Sequence, residues 1–264
     1  IKFGVPLIPR YLIEITNNFL DRFFIGFYHG QEHVGIFGIG ARFSLILLIF
    51  VDTFRKAYWP LFMKKLHTSD VKTFLQNIAL MYFNFICIGV ILLTFFARFL
   101  VETLIGANFH SGWEIVGPLC WQTVFLGGFV IFAAGIYKTE RTYLQFPCIL
   151  LVVLTNAALN WFLVPHYGNI GAAIAKATAF LLWNVLILIV TEIIWRVAFP
   201  YFKIIFPIIV AIAHIFWINL IAEGKINLET ILVTCFACLL CLANIYLGTY
   251  LKKTNKRYNR DGNQ

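Results

Sequence analysis

Six polar residues fall within the first apolar stretch of the chain, and their spacing gathers them on one side of a helix. Arg10, Glu14, Asn17 and Asp21 follow i, i+4, i+7, i+11, while Glu14, Asn18 and Arg22 follow i, i+4, i+8. Residues three or four apart are neighbours on a helix, so the two rows share one face. Arg42 and Lys176 are further cations inside apolar runs, and Asp52 is a further carboxylate. Charges at such depth are costly and face a bundle interior or a water-filled cavity, which makes each a candidate for function. Counted along the helix axis, Arg22, Arg42 and Lys176 each lie about 9 Å inside the same boundary. Converging, they would form a ring that binds an anion. The alternative is that Arg22 pairs with Asp21 or Glu14 while Arg42 and Lys176 reach outward to water. Glu14 lies near mid-span, where a carboxyl group can exchange a proton or hold a cation; the alternative is a pair with Arg10.

The remaining candidates carry less. Asp52 sits one turn before Arg55 and Lys56, the spacing of a local ion pair. His214 stands alone in an apolar segment and reads as a satisfied core residue. His29 and His33 flank a glycine turn. Five of the six cysteines lie in apolar runs, where a thiol behaves as a small hydrophobe. Cys235, Cys238 and Cys241 lack the polar support that a metal site requires. No phosphate-binding loop, HExxH, GxSxG or zinc-ligand spacing occurs. The expectation is no catalytic residue, no metal and no cofactor.

The elements that position these residues follow from composition. Of 264 residues, 61% are hydrophobic and 12% charged, against about 25% charged in soluble domains. Eight apolar segments are separable: 4–28, 36–57, 74–97, 116–137, 146–164, 170–195, 203–222 and 228–250. In hydrocarbon every backbone N–H and C=O must be paired within the segment, so these are helices. The predicted fold class is all-α, a polytopic bundle of about eight membrane-spanning helices. The longest connection, 98–115, has the mixed polarity of an interfacial stretch.

Lys and Arg alternate strictly between the connections. Lys2; Arg55, Lys56, Lys64, Lys65, Lys72; Lys138, Arg141; Arg196, Lys203; and Lys252, Lys253, Lys256, Arg257, Arg260 fall on one side. Only Arg98 and Lys225 fall on the other. Cytoplasmic connections carry the cations, so both termini are predicted cytoplasmic. The net charge of +9 is largely this asymmetry, and it points to anionic headgroups of membrane lipids as partners, with no nucleic acid. The chain opens on Ile1 and enters an apolar segment without a secretory signal, so an upstream part is expected to be missing.

Several stretches resemble a known family. These are Phe3-Gly4 with Pro6 and Pro9, the Asp21-Arg22-Phe23-Phe24 group followed by Gly26, and Val34-Gly35-Ile36-Phe37. Tyr167-Gly168 followed by Gly171-Ala172-Ala173 completes the set. In order along nearly the whole chain, they resemble bacterial polysaccharide flippases. These form the oligosaccharide-lipid branch of the multidrug/oligosaccharidyl-lipid/polysaccharide exporter superfamily. The resemblance implies two six-helix lobes, often with two extra helices. Residues 1–197 would be the C-terminal lobe, 198–251 the two additional helices and 252–264 a basic cytoplasmic tail. An N-terminal lobe would be the missing partner. The implied activity moves an oligosaccharide repeat unit on undecaprenyl pyrophosphate across the bacterial inner membrane by alternating access. Arg22, Arg42 and Lys176 would meet the pyrophosphate, Asn17 and Asn18 the sugar, and Glu14 and Asp21 would couple an ion. The competing readings are a multidrug or lipid exporter of the same fold, or a membrane-embedded glycosyltransferase or acyltransferase.

Overall fold

The computed structural model describes the backbone of residues 7–220 and 226–261, and the side chains of residues 17, 19–219 and 226–246. Among the described residues the chain is helical throughout, with no strand: α1 (Leu7–His29), α2 (Gln31–Lys65), α3 (Val71–Leu104), α4 (Val116–Phe132), α5 (Ala134–Lys138), α6 (Gln145–Ile194), α7 (Tyr201–Leu220) and α8 (Leu228–Asp261). A 3-10 helix, Ala107–Trp113, fills the long connection after α3. Six of the described helices are long and apolar enough to cross a membrane. The protein is a multi-pass membrane protein.

The fifth and sixth apolar segments form one continuous element, α6, broken at Gly168 with φ 53° and ψ −131°. That backbone conformation is open to glycine and strained for other residues. The break reverses the chain. Asn160 and Lys176 are sixteen residues apart, about 24 Å along a straight helix. Both nevertheless bond the carboxylate of Asp21, at 3.1 and 2.7 Å. A Cβ on Gly171 would come within 2.5 Å of the Leu163 carbonyl oxygen, so the two arms touch backbone to backbone just past the turn. Small residues permit this approach of membrane helices.

Helices α1 and α2 form a second hairpin with an even shorter link. Gly30, at φ 84°, is the single residue between them. The two glycine tips lie together. The Nε2–H of His29 donates to the carbonyl of Val164 at 2.7 Å, and the same nitrogen lies 3.8 Å from where a Cβ on Gly168 would stand. Trp161 meets Phe24 and Tyr28 edge-on beside this contact.

Helix α4 is the centre, with most of its residues buried. Its neighbours hold it through its own carbonyls, which in hydrocarbon have no water to bond. Tyr82 of α3 donates to Val124 O at 2.9 Å, Asn184 of α6 to Phe125 O at 2.6 Å, and Thr191 of α6 to Phe132 O at 2.6 Å. Gly127 and Gly128 leave the room that Tyr82 and Asn184 occupy. Helices α7 and α8 pack on α3 and on each other. His214 bridges them: its Nε2 meets the Thr234 hydroxyl at 3.0 Å and its Nδ1 that of Thr94 at 3.4 Å. His214 is thus a partnered core residue.

Candidate functional site

Two consecutive residues of α1 go to different places. Asp21 is wholly buried, and Arg22 is exposed. One residue is about 100° of helix rotation, enough to turn Asp21 towards the α6 hairpin and Arg22 towards α2.

The inward side is a closed polar cluster. Lys176, on the second arm of α6, donates to Asp21 Oδ2 at 2.7 Å, and the two side chains are 7% and 0% exposed. Asp21 Oδ1 accepts from Asn156 and Asn160 on the first arm, at 3.1 Å each. Asn156 also donates to Asn17 Oδ1 at 2.9 Å, and Asn160 to Asn156 Oδ1 at 3.1 Å. Two asparagines and one lysine therefore donate to one carboxylate, and Asn17 joins the cluster through Asn156. The side-chain oxygen of Asn160 is buried and has no partner. A buried ion pair repays its desolvation only with good geometry and further hydrogen bonds, both of which are present here.

The outward side is a cavity of about 430 Å³ between α1, α2 and the 3-10 helix. Arg22, Gln31, Arg42 and Phe109 line it, with Val34, Gly35, Gly38 and Ile39. No carboxylate lines it, and among the described residues no carboxylate pairs with Arg22 or Arg42. The glycines of α2 shape the wall: a Cβ on Gly35 would stand 3.0 Å from the Phe109 ring. Two guanidinium groups stand here against small and aromatic surface, and arginine donors are of the type that matches the oxygens of carboxylate or phosphate in pairs.

The expected ring of three cations is therefore two plus one. Arg22 and Arg42 share a cavity, whereas Lys176 is turned into the bundle by the countercharge of Asp21, and Asn17 is held there by Asn156. Arg22 does not pair with Asp21, whose countercharge is Lys176. The common depth is counted from the apolar boundary at Ile36, and the helix itself starts earlier. Helix α2 begins at Gln31, eleven residues before Arg42, which places Arg42 about 16 Å from the hairpin tip. The side chains of Arg10, Glu14 and Asn18 lie outside the described residues. Asp52 bonds Arg55 at 3.0 Å. Among the described residues no three His, Cys, Asp or Glu side chains gather to hold a metal. Asn156 and Asn160 escaped the sequence reading, although two asparagines at i, i+4 in an apolar segment carry the same signal as the row on α1. Gln31 and Phe109 had no comparable mark.

No family model matches the sequence. No curated protein matches it. Among solved structures, the lipid II flippase MurJ in an inward closed conformation is similar, with a TM-score of 0.68 and 16% sequence identity. The alignment covers 90% of this chain and 52% of that one, so the chain spans about half of MurJ's length. The shared feature is the fold: a polytopic helical bundle of the MurJ type.

Proposed function

We propose that the protein is one lobe of a flippase for a lipid-linked oligosaccharide, with undecaprenyl pyrophosphate as the carrier, in the bacterial inner membrane. The observation that carries this reading is the cavity in which Arg22 and Arg42, from two helices joined by one residue, face each other with no lining carboxylate. Such a cavity favours the pyrophosphate and repels cationic drugs. The likeness to half of a lipid II flippase supports a second, N-terminal lobe opposite this one. Alternating access would then move the two lobes about the bound anion, as a transporter and not as an enzyme. The cation-rich connections support cytoplasmic termini.

In this reading Arg22 and Arg42 hold the phosphate oxygens. Asn18 stands as the sugar contact, and Asn17 serves through Asn156. Asp21, together with Glu14, is the ion-coupling element. Its pair with Lys176 and its bonds to Asn156 and Asn160 tie that element to both arms of α6. Lys176 then meets substrate only in a state where that pair is broken.

The test is transport of a labelled oligosaccharide on undecaprenyl pyrophosphate by the full transporter in proteoliposomes. Arg22→Gln and Arg42→Gln are each expected to weaken substrate binding about ten- to a hundredfold, the loss of one charge-assisted hydrogen bond. Unchanged binding in the double variant would overturn the assignment.

A further inference from the structure

The other end of α2 carries a second basic cavity, of about 550 Å³, that the reading above does not use. It opens between α2, α4 and α5. Val51, Leu126, Phe129 and Val130 form an apolar wall, Asp52, Arg55 and Lys56 supply the charge, and Trp59, Pro60 and Tyr137 complete it. The α2 residues recur at 51–52, 55–56 and 59–60, one pair per turn, so the lining is a continuous strip of the helix.

Its depth fits a headgroup. The apolar stretch of α2 runs over 36–57, about 32 Å at the helical rise, which is the thickness of the hydrocarbon core. Arg55 and Lys56 stand at its end. Trp59 follows one turn later and meets Tyr137 edge-on at 4.9 Å, a ring pair suited to the interface. The apolar wall lies on the hydrocarbon side of the charges. The order along the cavity is therefore hydrocarbon surface, cations, then amphipathic rings, which is the order of a lipid from tail to headgroup.

Its charge fits a phosphate. Asp52 engages one guanidinium nitrogen of Arg55 at 3.0 Å and leaves the rest of that group open, with the arginine side chain 55% exposed. Among the described residues no carboxylate pairs with Lys56. Two cations against one carboxylate leave a net charge of +1, the complement of a phosphodiester.

We infer that this cavity binds the phosphate-bearing headgroup of a membrane amphiphile, with Lys56 and Arg55 on the phosphate and the upper tail against Leu126, Phe129 and Val130. The site is separate from the Arg22–Arg42 cavity and does not depend on what that one transports.

The test is lipid retention by the full chain, released from detergent and weighed intact with its bound lipid. Phosphatidylglycerol, phosphatidylcholine, undecaprenyl phosphate and inorganic phosphate are offered in turn. Phosphatidylglycerol or undecaprenyl phosphate should be retained, and whichever binds more tightly identifies the source of the headgroup. Lys56→Gln should weaken that retention about tenfold and Lys56→Arg should restore it. Measured in a background carrying Arg22→Gln and Arg42→Gln, which removes the cations of the other basic cavity, both Lys56 effects should persist. Equal retention of phosphatidylcholine, competition by inorganic phosphate alone, or no effect of Lys56→Gln in a variant with unchanged thermal unfolding would each overturn the proposal.

Discussion

Asp21 and Arg22 are neighbours in sequence and opposites in the molecule. Asp21 has its countercharge, Lys176, inside the protein, together with two asparagine donors, and is wholly buried. Arg22 has no carboxylate partner among the described residues and faces a cavity with Arg42. A membrane-embedded charge must be neutralised by the protein or by something that enters. The difference between the two regions is one of partners: Asp21 is neutralised within the bundle, while Arg22 lines a cavity with a second cation.

The largest effect that would break this comparison lies in the inner cluster. Lys176→Met leaves Asp21 buried and unpaired, and should cost about 3–5 kcal/mol of stability, read from thermal unfolding in detergent. Adding Asp21→Asn to that variant should recover most of the loss, because no lone charge then remains. A double variant as unstable as the single one would mean that packing, and not charge, holds the cluster.

In the outer cavity the expected pattern is reversed. Arg22→Gln with Arg42→Gln should shift stability by less than about 0.5 kcal/mol, the range of exposed substitutions. Binding of a pyrophosphate lipid should fall by about 1.5–3 kcal/mol for each charged hydrogen bond lost. Loss of stability equal to that of Lys176→Met would erase the distinction between the two regions.

The hairpin that brings Lys176 to Asp21 is open to a gentler test. Gly168→Ala places a Cβ at φ 53° and should cost about 1–2 kcal/mol, again by thermal unfolding. The smallest effect belongs to the latch between the tips. His29→Phe removes the bond to the Val164 carbonyl and should cost about 1 kcal/mol. Cysteine pairs introduced near the tips should then crosslink more slowly.

Much of this was legible before any coordinates. The eight apolar segments correspond to α1 to α4 with α5, the two arms of α6, α7 and α8, because hydrocarbon leaves a spanning backbone no other way to pair its polar groups. The Asp52–Arg55 pair follows from spacing alone. Helix ends were less legible. Helices α2 and α3 run to 35 and 34 residues, beyond their apolar stretches, since a helix continues into water wherever no residue stops it.

Local composition and a period of 3.6 residues dictate the helices and the set of charged residues that need partners. Tertiary structure alone decided which charge meets which. Asp21 and Lys176 are 155 residues apart, and they meet only because Gly168 turns the second arm of α6 back along the first. Arg22 and Arg42 come together across a one-residue turn, where a shift of α2 by a single position would rotate Arg42 about 100° out of the cavity. Depth along an axis can be counted from a sequence, but rotation about it and the choice of partner are set by packing.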